Sequence, residues 1–202
     1  MVKFHKSVYT HNYDFNTFSI AYFLRYPNPF ATHVISVDTL DRHVDEQGRL
    51  HTRRLVIKRG KLPNWCRALL SSSNINISES MIVETSIIDP KRQIIQSETK
   101  NVDFTKIMRV IETATYTGGV DANNNPIVKA KTSVSFLSSF GFASMKDRME
   151  TWGQRKMGEN LSRSQKGMSF VMDRLREHSG KIKSFQLAMQ QALAQDIPLY
   201  ES

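Results

Sequence analysis

The sequence predicts an α+β domain, an antiparallel sheet followed by one long helix that packs on it. Three observations carry this. From about residue 32 to 139, apolar and polar residues alternate in segments separated by turn signals. Strands joined by short turns pair antiparallel. Residues 145–177 then take helical spacing, and a helix with an apolar face must bury it on the sheet. The chain has 202 residues, enough for a sizeable core, and shows no internal repeat.

The elements follow in order. Residues 1–13 read as a strand, with Val2, Phe4 and Val8 alternating against Lys3, His5 and Ser7. Asp14 offers an N-cap for Phe15, Phe18, Tyr22 and Phe23, which have helical spacing. That helix must stop at the sequence Arg25-Tyr26-Pro27-Asn28-Pro29, because proline fixes its own φ and drives the preceding residue out of the helical region. Residues 32–44 read as extended and Asp45-Glu46-Gln47-Gly48 as a turn. In residues 50–59, Leu55 and Ile57 fall on one face, with Arg54, Val56 and Lys58 on the other. Pro63, Trp65 and a serine run break the pattern in residues 62–73. Extended segments cover 76–88, 92–102, 106–117 and 127–139, with turns at Asp89-Pro90 and across 118–126. Gly180 should end or bend the long helix, and residues 181–195 can form another amphipathic helix.

Charge narrows the partners. There are 28 basic and 19 acidic residues, a net charge of +9, which points to an anionic partner: nucleic acid, a membrane surface or an acidic protein. Cys66 is the only cysteine, so neither an intrachain disulfide nor a cysteine metal cluster can form. No apolar run approaches the roughly 20 residues that span a bilayer. The opening residues lack the Arg-rich amphipathic helix of a mitochondrial presequence.

Two groups of residues carry chemistry. On the long helix, Met145, Met149, Trp152, Lys156, Asn160, Arg163 and Gly167 share an arc of about 80°, given ~100° per residue. Met157, Leu161, Met168, Met172 and Leu175 form a second stripe. Either the second stripe is core and the first is partly solvated, or Lys156, Asn160 and Arg163 face the interior, where they need an anion. The second group is Arg25, His33, Lys58 and Lys61. An antiparallel hairpin around the turn at 45–48 brings His33 beside Lys58 and Lys61, and Arg25 ends the preceding helix. One end of the sheet thus gathers four potential cations, either as a solvated rim or as a phosphate site, since a guanidinium fork donates two parallel hydrogen bonds.

The Arg25 to Pro29 block with Thr32-His33-Val34, then Gly60-Lys61-Leu62-Pro63-Asn64-Trp65, then Glu150-Thr151-Trp152, resembles the PRELI/MSF family of mitochondrial lipid-transfer proteins. The resemblance runs from about residue 1 to 177 and leaves 178–202 as a helical extension or tail. It implies a START-like helix-grip fold, in which a curved antiparallel sheet wraps the long helix and encloses a lipid cavity. It implies that Arg25 meets the lipid phosphate, with His33, Lys58, Lys61, Lys156, Asn160 and Arg163 around the headgroup. Arg163 stands where some relatives carry lysine. It implies that Leu62, Pro63, Trp65, Leu69 and Leu70 belong to a lid, whereas an apolar loop of this kind between two strands is most often packed core.

The same resemblance implies a partner, a small helical protein with twin Cys-x9-Cys motifs, and a location in the mitochondrial intermembrane space. It divides between carriers of phosphatidic acid and of phosphatidylserine. The Gly-Lys-Leu-Pro element is similar to the former, which would carry the lipid from outer to inner membrane for cardiolipin synthesis. No cofactor is called for. Neither a Gly-rich phosphate loop, a Gly-x-Ser-x-Gly elbow nor a His/Glu metal pair is present to support an enzyme. A basic nucleic-acid-binding domain is the alternative, and it would interleave basic residues with exposed aromatics on one sheet face.

Overall fold

A computed structural model of the protein describes residues 3–59, 79–105, 108–138 and 143–195. Strand β1 (Lys3–His11) leads into helix α1 (Phe15–Leu24). Six strands follow: β2 (Val34–Val44), β3 (Leu50–Arg59), β4 (Glu79–Asp89), β5 (Ile94–Asn101), β6 (Met108–Val120) and β7 (Pro126–Ser138). Helix α2 (Ala143–Gln195) closes the described chain. All strands join one antiparallel sheet in the order β1-β7-β6-β5-β4-β3-β2. Strands β2 to β7 form a meander, and β1 returns to pair with β7. The sheet curves, and α2 packs against α1, β1 and β7.

Local chemistry sets the joints. Asp14 caps α1 as expected, its Oδ1 accepting from the Thr17 amide at 2.8 Å. Asp45 organises the β2–β3 turn, accepting from the Gln47 and Arg49 amides at 3.0 and 2.9 Å, while Gly48 takes φ +79°. The main core lies where α1 fills the space between sheet and α2. Phe15, Phe18 and Tyr22 meet Ile88, Ile95 and Val128 below and Met168 and Met172 above.

Three expectations need correction or completion. In β1 the alternation holds, but Phe4 and Val8 are 56% and 70% exposed on the outer face. Pairing with β7 places His5 opposite Val134 and His11 opposite Val128, both fully buried, so the polar set of β1 turns inward. In β3, likewise, Thr52, Arg54 and Val56 are buried and Leu55 and Ile57 lie on the outer face. Gly180 neither ends nor bends α2 into two elements. A glycine costs a helix interior only about 1 kcal/mol relative to alanine, too little to stop a helix continued by good helix formers.

Candidate functional site

Arg25 is the C-cap of α1, with φ −65° and ψ −10°. The turn after it is built by Asn28, whose side-chain amide donates to the Arg25 carbonyl and whose Oδ1 accepts from the Phe30 amide at 2.8 Å. Asn28 rests on Gly167 of α2, where a Cβ would fall 2.9 Å from both polar atoms of the Asn28 amide. A bare backbone on α2 is what lets this turn approach.

The turn fixes the Arg25 guanidinium between two rings, its Cζ 4.1 Å from the Tyr22 centroid and 5.1 Å from that of Tyr26. Nη1 donates to the Tyr22 carbonyl and Nη2 to Glu84 Oε2. Glu84 sits directly opposite Arg54 in the β3–β4 register, and its Oε1 accepts from Arg54 Nε at 3.0 Å and from Arg54 Nη2. Arg54 also donates through Nη1 to the Phe23 carbonyl at 3.3 Å. Arg54 and Glu84 are each 3% exposed. Burial opposes the charge on Glu84, but Arg25 and Arg54 outweigh it and hold its pKa below the usual range. Burial likewise opposes the charge on Arg25, and Glu84 reverses this, raising its pKa well above the ordinary value. Two cations thus share one carboxylate, and the cluster carries one uncompensated positive charge.

This cluster forms one end of a cavity of about 370 Å³ between the sheet and the N-terminal half of α2. Arg25, Tyr26, His33, Lys58, Glu84 and Glu112 line its polar end. Met108, Val110, Phe136, Trp152, Met157 and Leu161 give it an apolar wall. Gly153 lets α2 approach that wall, since a Cβ there would fall 2.9 Å from Phe136. The His33 pKa is lowered by burial, then by Lys58 and Arg163, so the ring is neutral near pH 7. Its Nδ1 is buried without a hydrogen-bond partner. Burial raises the Glu112 pKa, with Lys58 and Arg25 only partly offsetting it. Lys58 and Arg25 together hold the Tyr26 pKa below its usual value, although burial opposes them.

Of the residues singled out from sequence, Arg25, His33, Lys58, Lys156 and Asn160 line this one cavity. The hairpin brings His33 to the end of β3 as expected, the Arg59 amide donating to the His33 carbonyl at 2.7 Å. Lys156 lies at the rim, 46% exposed, with Nζ 2.7 Å from Glu159. Arg163 is exposed outside the lining, donating to Asn160 Oδ1 at 2.6 Å. Both helix stripes contribute: Trp152, Lys156 and Asn160 from the first, Met157, Leu161 and Met168 from the second. Lys61 and the lid residues Leu62, Pro63, Trp65, Leu69 and Leu70 lie outside the described residues. Sequence reasoning missed Glu84, Glu112 and the role of Arg54. In sequence Glu84 shares its alternating face with Ile82, Ser86 and Ile88, a mixed pattern that does not single it out.

Residues 16–178 match the PRELI-like family. Protein UPS1, mitochondrial, of Saccharomyces cerevisiae is 40% identical over 177 residues, covering 88% of this chain and 97% of the relative. The ups1 homolog of Schizosaccharomyces pombe is also 40% identical, over 80% of this chain and 90% of its own. Among solved structures, the Zhui aromatase/cyclase of a Streptomyces species superposes with a TM-score of 0.53 at 9% identity, over 86% of this chain and 95% of that one, a likeness of fold alone. By sequence match, the chain belongs to the PRELI-like family.

Proposed function

We propose that this protein carries phosphatidic acid across the mitochondrial intermembrane space, from outer to inner membrane, where it supports cardiolipin synthesis. The observation that carries the reading is a cavity that joins an apolar wall to a basic cluster built around Arg25. A diacyl lipid exposes roughly 30 methylenes at ~0.8 kcal/mol each, so unaided escape into water costs on the order of 20 kcal/mol. Apolar side chains lining the cavity offset part of that cost. At the polar end Arg25 and Lys58, with Arg54 behind them, stand against Glu84 and Glu112, an excess of positive charge that suits a phosphomonoester. These groups hold an anion, which is the work of a carrier rather than a catalyst. The two yeast relatives carry mitochondrial or UPS1-type names, in keeping with this location.

In this reading residues 1–177 form the transfer domain and 178–202 a helical extension. Lys61 and Arg163 complete the basic mouth, and residues 62–70 act as its lid. A twin Cys-x9-Cys helical protein is the partner, and anionic membrane is the docking surface. Phosphatidylserine transfer is the second reading. Glu112 favours it, because a carboxylate on the cavity wall can receive an ammonium. Burial weakens that case, because it disfavours the charged carboxylate that the ammonium would need. A nucleic-acid surface would need its cations spread over an open face, whereas Arg25 and Lys58 line a cleft between the sheet and α2.

The test is transfer between liposomes of defined headgroup, with the full chain and its partner. Phosphatidic acid should move fastest. Arg25→Glu should abolish its transfer while leaving membrane adsorption. Arg25→Lys should lose roughly ten- to hundredfold, because hydrogen bonds to a charged group contribute roughly 1.5–3 kcal/mol and an ammonium lacks the fork. Normal transfer by Arg25→Glu would remove the headgroup site.

A further inference from the structure

Resting on the reading of Arg25 as the phosphate-binding residue, we propose that Glu84 is a resident counter-ion, displaced from Arg25 by the incoming phosphate and returning when the lipid leaves. Glu84 would then set the rate of release.

The arrangement of the three charges supports this. Arg25 and Glu84 both line the cavity, whereas Arg54 lies behind them, so an entering phosphate meets Arg25 already paired. Arg25 has little room to swing towards a ligand, because Tyr22 and Tyr26 flank its guanidinium and the Tyr22 carbonyl holds Nη1. The ligand must therefore come to the guanidinium where it stands. Two anions on one guanidinium repel strongly in a poorly solvated site. Glu84 is the one that can yield, because Arg54 Nε and Nη2 keep hold of its Oε1 after Oε2 lets go of Arg25. In the empty form the two arginines share Glu84, and in the loaded form each has an anion of its own.

A carrier must be stable both empty and loaded. A buried guanidinium without a partner would destabilise the empty form. A carboxylate held in reserve removes that penalty and makes binding an exchange of one anion for another. Affinity falls, and release into the acceptor membrane becomes faster.

The probe is dihexanoyl phosphatidic acid, soluble as a monomer, with dihexanoylglycerol as the phosphate-free control, both added to the full chain. In Glu84→Gln, phosphatidic acid should dissociate about tenfold or more slowly than from wild type, the dihexanoylglycerol rate should be unchanged, and liposome-to-liposome turnover should fall although extraction persists. Dissociation as fast as from wild type would overturn the proposal. Because Glu84→Gln leaves two buried arginines and can fail to fold, a second measurement uses the unmodified protein. The carbon-13 carboxylate resonance of Glu84, assigned through its backbone, should shift with phosphatidic acid and not with dihexanoylglycerol. Phosphatidic acid binding with no such shift overturns the counter-ion role alone. If wild type binds neither probe, the carrier reading falls as well.

Discussion

The two ends of the space between sheet and α2 are built from the same kinds of residue and come out opposite. At one end Phe15, Phe18 and Met172 are almost wholly buried, packed on Ile95 and Val128. At the other, Met157 and Leu161 face Met108 and Val110 across a cavity of about 370 Å³. The difference is α1. Its ten residues extend about 15 Å at 1.5 Å per residue, enough to fill one end only. The chain then turns away at Arg25 to Asn28. A binding volume here comes from withholding a filler, not from unusual wall residues.

The largest expected effect breaks that comparison most directly. Phe18→Ala should cost about 3–5 kcal/mol, the range for truncating a buried aromatic in a packed core. Val110→Ala, without lipid, should cost less than about 1 kcal/mol, because its side chain already faces open space. Chemical denaturation measures both. Equal costs would mean that the two ends are packed alike.

The two ends should also answer pH with opposite sign. His11, beside Phe18, has its pKa lowered by burial to about 4. A lowered histidine contributes stability that is present above pH 6.5 and lost as pH falls through about 4, a loss of about 3 kcal/mol in full. His11→Phe, which keeps a ring there, should flatten that acid limb. Glu112, at the cavity end, is raised, so its contribution is present below its unfolded value near 4.5 and is lost as pH rises through the folded pKa. Glu112→Gln should therefore stabilise the lipid-free protein at neutral pH and not at pH 4. Melting temperatures across pH 4–8 decide both, and a neutral-pH loss of stability in Glu112→Gln would contradict the burial of that carboxylate.

A smaller effect sharpens the boundary between the ends. Gly167→Ala sets a methyl against Asn28 and should cost about 1–3 kcal/mol, as overpacking does. Because Asn28 holds the Arg25 carbonyl, headgroup affinity should fall more than stability alone explains. An unchanged affinity would show that the turn moves without carrying Arg25.

Much of the fold was legible because its signals are local. Alternation marked the strands, and Asp14 and the Asp45 to Gly48 turn marked joints that hold in the structure. The site was legible in part. The cations at 25, 33 and 58 could be placed together once a hairpin was assumed, and the register of β2 with β3 does bring Val34 to Lys58. Glu84 was not legible, because its partner Arg54 is 30 residues earlier and meets it only through cross-strand pairing.

The sequence by itself determined the period of each segment, the ends of α1 and the antiparallel pairing of strands joined by short turns, since these depend on neighbours within a few residues. Only the tertiary structure decided which face of each strand looks inward. Alternation defines two faces and is blind to which of them the long helix will cover, so Phe4 and Val8 could be turned out and Arg54 and Lys58 turned in. The tertiary structure also decided the cavity's charge. A buried arginine acquires its meaning from the carboxylate that reaches it, and that contact exists only after the strands have paired.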